Sequence, residues 1–436
     1  MFATLRNAWR VAEIRKKLLY TLMILVIFRI GSVIPVPFLD PTALREMVST
    51  QGNLLGYIDI LTGGAFANAT IFAMSISPYI TASIVIQLLT IAIPALEKLA
   101  KEGEEGRKQI NKITRYTSVG LALVQAIAYF LMLKNVGALT HPTGFGFWFS
   151  AVVIVTTFTA GACLIIWLGE LIDQNGIGNG ISMMLFAGIV SRGPSAAMKL
   201  WQYIELANKG ETQYYFLVPL VLVLFVAIIG FIVLMTNAER RIPVQYAKRV
   251  VGRKMYGGQS THIPIKVNMS GVLPIIFASA LLSIPGTIKG FAYATPTMEQ
   301  TQSFLYKFLS MFDYNNFAYA ALYFLLIIAF NYFYVAVQYN PIEMANNLQK
   351  NNGGIPGIRP GRPTSEFISK VISKITLIGA LFLAVIAILP IGLGAITKMN
   401  ISLGGTSILI IVGVALDTMR QLESQMMMRH YKGFLE

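Results

Sequence analysis

Apolar residues in this chain fall in long runs separated by short polar stretches. Ten such runs occupy 18–36, 71–93, 116–133, 149–168, 181–200, 214–235, 269–288, 317–338, 375–396 and 403–419. A hydrocarbon core about 30 Å thick needs roughly 20 apolar residues per helix. The pattern therefore predicts an all-α polytopic membrane protein with ten transmembrane helices. The fifth run is the weakest: its apolar part stops near Val190, and Ser191-Arg192-Gly193-Pro194 interrupts the remainder of the run.

Lys and Arg set the orientation. With the N-terminus inside, 26 of the 35 basic residues fall in inner segments. Eight are left for the outer loops, namely Arg45, Lys134, Arg192, Lys199, Lys209, Lys289, Lys307 and Lys398, while Arg29 sits in the first span near enough to the outer interface to snorkel. Both termini are thus expected in the cytoplasm. An even division gives two five-helix halves, 1–200 and 201–436, and an odd number of helices per half makes them inverted repeats across a midplane pathway. No internal sequence identity supports the repeat.

Three segments break the regular pattern. Gly56 to Ala73 reads GYIDILTGGAFANATIFA, apolar enough to enter a membrane yet carrying Asp59, Gly63, Gly64 and Asn68. Irregular backbone is tolerated at membrane depth only where protein or water shields it, so this stretch is either a short helix folded back into a cavity or a surface loop. Loops 237–268 and 339–374 lie on the inner side and far exceed the usual connection of about 4–6 residues. The first holds Arg240, Arg241, Lys248, Arg249, Arg253, Lys254 and Lys266. The second contains GGIPGIRPGRPTSEF from Gly353, a stiff turn-rich tip presenting Arg359 and Arg362. Attraction to anionic lipid explains their charge; docking of a cytosolic partner also explains their length.

Composition agrees with a lipid environment. Hydrophobic residues make up 55% and charged residues only 13%, too little charge to cover a soluble protein of 436 residues. The basic start, Arg6 to Lys17, leads into a full-length span, so no cleavable signal peptide is expected. The lone cysteine, Cys163, lies in an apolar run and reads as a buried structural thiol. No phosphate loop, HExxH or CxxC motif is present, and GIGNG from Gly176 reads as a helix cap or turn. The three histidines, His141, His262 and His430, all fall between or beyond the spans. No enzyme chemistry, metal or cofactor is expected. Mid-span polarity is confined to uncharged residues such as Gln87, Gln125, Ser279 and Asn331, which suit interhelical hydrogen bonds. A small-molecule secondary transporter would need a polar or charged midplane site. An intramembrane protease would need a Ser–His or paired-Asp constellation inside the spans.

Five segments, in order, carry a resemblance: SPYITASIVIQLL from Ser77, GIGNGISMMLFAGIV from Gly176, QSTHIPIKVNMSGVLPIIFASA from Gln259, GGIPGIRPGRPT from Gly353 and GGTSILI from Gly404. On these the chain resembles the bacterial SecY family, the channel subunits of the Sec protein translocon. The resemblance spans essentially the whole chain. It implies an hourglass channel between two pseudo-symmetric five-helix halves, narrowed by a ring of Ile80, Ile84, Leu185, Ile189, Ile276 and Ile410. Branched apolar side chains at such a constriction exclude ions by dewetting yet yield to a polypeptide. The segment around 56–72, with Tyr57, Asp59, Gly63, Gly64, Phe66 and Asn68, corresponds to a plug, which Asp59 and the glycine pair would hold weakly.

The resemblance also implies a lateral gate lined by the second, third, seventh and eighth spans, where a signal sequence partitions between channel and bilayer. Gln87, Gln125, Ser279 and Asn331 are the candidates for its polar contacts. The inner loops would bind the ribosome, with Arg249, Arg253 and Lys254 suited to ribosomal RNA phosphates, or the motor ATPase SecA, through Arg359 and Arg362. SecE and SecG are the implied partner subunits, unfolded signal-bearing polypeptide the implied cargo, and the bacterial cytoplasmic membrane the implied location.

Overall fold

The apolar runs lie largely in helices, the fifth in two, and local chemistry fixes where several of them start and stop. The computed structural model describes residues 2–432 apart from 43, 46–58, 60–61, 142, 247–248, 252–253, 257–259, 293–302, 314–315 and 398–404. Helix α1 (Phe2–Arg10) precedes α2 (Ala12–Gly31), and α3 (Ser77–Ala92) opens with Pro78 in its first turn, where a missing N–H costs nothing. At Ile93-Pro94 the chain bends by 105° into α4 (Pro94–Lys101). Next come α5 (Glu104–Val136), ended by Gly137 in the left-handed conformation, and α6 (Phe145–Asn175). Asn179 caps α7 (Gly180–Val190) by accepting from the Ser182 N–H at 3.0 Å. The expected interruption separates α7 from α8 (Gly193–Asn208), and α9 (Gln213–Asn237) comes next.

The boundary expected at 200/201 falls inside α8. Ala207 near its end packs with Tyr214 and Val218 of α9.

The second half of the chain adds α10 (Leu273–Ala292), α11 (Phe304–Ser310), α12 (Phe317–Gln338), α13 (Pro341–Lys350), α14 (Arg362–Thr397) and α15 (Gly405–Lys432). Among the described residues, six helical stretches are long and apolar enough to cross a bilayer, or seven if the bent α3–α4 pair counts as one span. Helix α2 falls short because Arg15, Lys16, Lys17 and Arg29 intrude on its apolar run, and among the described residues α10 contributes a shorter apolar stretch, Leu273–Gly286.

The two long polar loops are more ordered than the sequence reading allowed. Within 237–268, β1 (Glu239–Tyr246) pairs antiparallel with β4 (Ser260–Lys266), placing Ile242 opposite Ile263. Between them β2 (Arg249–Val251) and β3 (Lys254–Tyr256) form a separate two-stranded ladder. Loop 339–374 is largely helical: Asn340 caps α13, and 362–374 is the first part of α14. Its turn-rich part shrinks to 351–361, which includes β5 (Gly353–Gly354), and β5 pairs with β1. The two loops thus make one small unit around Ile242, Val244, Ile265, Leu348, Ile355 and Ile368. Burial of these side chains fixes what charge alone suggested was a pair of free projections.

Candidate functional site: an aliphatic junction and its covering segment

Three hydrophobic clusters organise the bundle. One joins α5 and α6 to residues 66–74. A second joins α9, α10, α12, α14 and α15. The third lies where elements of both halves of the chain meet, and it holds five of the six ring residues. Leu185, Ile189 and Ile410 are buried in it, and Ile80 and Ile276 pack against it half-buried. They come from α3, α7, α10 and α15, four helices distant in sequence. Ile84, one turn beyond Ile80, is half-buried and lies outside this cluster.

The described stretch 62–76 is a succession of turns packed inside the protein, so it is not a surface loop, and Asp59 before it is helical. Its far end joins the third cluster through Phe72 and Ile76, with Phe72 stacked on Phe28 of α2 at 5.8 Å. Phe66 stacks on Tyr129 of α5 at 4.8 Å, and the Tyr129 hydroxyl donates to the Phe66 carbonyl at 2.7 Å. Asn68 donates to the Gly64 carbonyl at 2.6 Å and accepts from Arg45 Nε at 2.8 Å. Tyr57 lies outside the described residues.

Asp59 is tied on several sides. It is 4% exposed and forms an ion pair with Arg192, which stands in the break between α7 and α8. Its Oδ1 accepts from the Ala67 N–H at 2.8 Å, and its carbonyl accepts from the Gly64 N–H at 2.9 Å. Arg29 is not free to snorkel to an interface either: its Nη1 donates to the Gly63 carbonyl at 3.5 Å. The sequence reading passed over both arginines as ordinary loop or interface charges. The available signal was their isolation, since a cation within or beside an apolar span needs a partner.

The gate candidates separate. Gln87 of α3 accepts from the hydroxyl of Tyr334 on α12, a bond between the two halves of the chain that the sequence reading did not pair. Gln125 is half-buried on α5. Ser279 donates to the Ile276 carbonyl of its own helix at 2.8 Å. Asn331 accepts from Ser270 and donates to the Thr376 carbonyl at 3.0 Å, which pins α12 to α14 within the second half.

Of the docking candidates, Arg359 and Arg362 are placed on the 351–361 turn and at the start of α14. Arg362 Nε pairs with Glu366 at 3.0 Å, and the Arg359 carbonyl accepts from Thr364 Oγ1 at 2.8 Å. Arg249 lies on β2 and Lys254 on β3, while Arg253 lies outside the described residues.

These features define a polytopic helical membrane protein whose interior holds an aliphatic junction, joined by the end of a buried, ion-paired segment. The profile of the SecY family matches residues 70–419, and the chain belongs to that family. It is 44% identical to the protein translocase subunit SecY of Streptomyces coelicolor and 40% identical to that of Mycobacterium tuberculosis, over the full length of both chains in each case. Among solved structures it is similar to one described as a protein conducting channel, with a TM-score of 0.64 at 18% identity, covering 94% of this chain and 92% of that one. Sec61 in the canine ribosome-channel complex gives 0.60 at 17% identity, with 94% and 92% covered. These likenesses establish the fold. Nothing among them supports the small-molecule transporter.

Proposed function

We propose that the chain is the protein-conducting channel of a bacterial secretory translocase, passing unfolded signal-bearing polypeptides across the cytoplasmic membrane and releasing hydrophobic segments sideways into it. One observation carries the reading: Ile80, Leu185, Ile189, Ile276 and Ile410, drawn from four helices, meet in one aliphatic cluster that the end of a buried re-entrant segment also joins. A ring of branched side chains with no fixed polar partner can part around a chain of any sequence and close again. On this reading ten spans form two five-helix halves, both termini face the cytoplasm, and 59–76 is the plug on the outer side. The channel subunit performs no bond chemistry itself; a motor or translation supplies the energy.

The small sheet and the 351–361 turn supply the cytoplasmic docking surface. Solved relatives include a Sec61 ribosome-channel complex and a yeast Ssh1 complex bound to the 80S ribosome. The exposed Arg359 and the basic β2–β3 ladder offer phosphate-seeking charge to ribosomal RNA or an arginine fork to SecA carboxylates. Ribosome binding through them should weaken steeply as salt rises. SecE and SecG complete the complex.

The test is crosslinking during transport. A single cysteine replaces Ile276 in a chain whose Cys163 is changed to Ser, and a precursor bearing a crosslinker is stalled midway. A crosslink that requires SecA and ATP places the polypeptide in the junction. Its absence in transport-competent channels puts the passage elsewhere.

A further inference from the structure

We infer that Arg192, seconded by Arg29, is the positioning residue that clamps the plug closed, an inference that rests on the plug reading above. Asp59 is the carboxylate at the centre. Arg192 pairs with its side chain and also donates through Nη2 to its backbone carbonyl at 3.5 Å. The same carboxylate accepts from the Ala67 N–H at 2.8 Å, tying Asp59 and Ala67 to one charge. Thr62 Oγ1 reinforces the loop, donating to the Asp59 carbonyl at 3.1 Å and accepting from the Phe66 N–H at 3.2 Å. From the neighbouring helix Arg29 reaches the Gly63 carbonyl.

The glycine pair serves this clamp. Gly63 and Gly64 have φ of +67° and +92°, a region that side chains disfavour. A Cβ on Gly63 would also lie 2.8 Å from the Gly188 carbonyl oxygen and 2.9 Å from Arg29 Nη1. On Gly64 it would stand 3.5 Å from the Arg192 guanidinium. The glycines let backbone come up against the two cations.

Charge counting explains why the clamp holds and how it lets go. Arg192 pairs with the buried carboxylate while Arg29 bonds a carbonyl of the same segment, so removing Asp59 leaves Arg192 unneutralised, and removing Arg192 strands a buried anion. Either change favours movement of the segment toward water. Arg192 Nε, moreover, is buried without a hydrogen-bond acceptor. That unmet donor adds a desolvation cost to the closed arrangement which displacement relieves. The clamp is firm but not over-determined. All of its members come from the first 200 residues: α2, the segment itself and the α7–α8 break. Parting the halves of the chain at the α3–α12 seam therefore leaves it intact, and release of the plug is a separate step.

The experiment reads plug position by thiol labelling. Ala65, fully buried in the segment, is replaced by cysteine in the full chain carrying Cys163→Ser, assembled with its partner subunits in membranes. A membrane-impermeant maleimide then labels it slowly at rest. Asp59→Asn and Arg192→Gln should each speed labelling by about tenfold or more, and the double variant should be no faster than the faster single, because the two act through one bond. Ala384→Cys, equally buried in α14, should stay slow in every variant, which separates plug release from general loosening. Unchanged rates in the singles, multiplicative rates in the double, or parallel acceleration at Ala384→Cys would overturn the clamp. If a stalled precursor fails to accelerate labelling of Ala65→Cys in the channel with Asp59 and Arg192 intact, the plug reading itself fails and takes the clamp with it.

Discussion

At Gly31, the last residue of α2, one methyl group sets how closely the covering segment can approach. A Cβ there would lie 2.1 Å from Phe72 Cε2, inside the stacked Phe28–Phe72 pair. Gly31→Ala should therefore destabilise the protein by about 1–3 kcal/mol through overpacking, measured as the loss in thermal unfolding of the purified complex. A second residue-scale expectation concerns the seal. Replacing Ile80 and Ile276 together by Asn puts amides into the junction and should wet it, raising resting ion conductance in planar bilayers. Conductance equal to that of the unsubstituted channel would locate the seal elsewhere. Neither site was legible in the residues alone. Gly31 sits in an apolar run where a glycine gives no signal, and an isoleucine in a span is ordinarily just packing. Only the family resemblance lifted Ile80, Ile84, Leu185, Ile189, Ile276 and Ile410 above that background, and Ile84 is half-buried outside the cluster that holds the other five.

Elements were easier to read where their chemistry is uniform. The break after Val190 was read from its polar interruption, whereas the bend at Ile93-Pro94, made by proline, was not singled out. The sheet was missed although β1 carries its own signal: Ile242 and Val244 are buried and alternate with exposed neighbours, a period of two. Seven basic residues spread through 240–266 obscured that short alternation. Asn331 was hard to pair for a related reason, because a lone mid-span amide gives its depth and not its facing partner. The structure sets it between Ser270 and the Thr376 carbonyl. Asn331→Ala should then cost about 1–3 kcal/mol by stranding both partners in a buried site. It should show as a lower unfolding temperature, with little change in which signal sequences are accepted. An altered signal preference at unchanged stability would return Asn331 to the gate.

For the molecule as a whole, what matters is how few links join the first and second halves of the chain on the proposed gate side. Helix α10 touches α3 and α5, and a hydrogen bond runs from Tyr334 on α12 to Gln87 on α3. Elsewhere the halves are tied more broadly. Thr418 and Gln421 of α15 bond to Met183 and to the Gly178 N–H, and α15 packs along α7 and α1. Opening should follow the weaker line, with α15 staying attached to the first half while α10 and α12 move away from α3 and α5. Tyr334→Phe removes one seam bond without changing shape and leaves the Gln87 carbonyl unpaired. A net hydrogen bond is worth about 1 kcal/mol, about fivefold in an equilibrium. Precursors with weakly hydrophobic signals, whose own partitioning barely opens the seam, should gain about that factor in transport rate. Strongly hydrophobic signals, already sufficient to open it, should gain little. A uniform gain for both would mean that Tyr334 acts on a step after gate opening, and no gain for either would mean that the seam parts along another line.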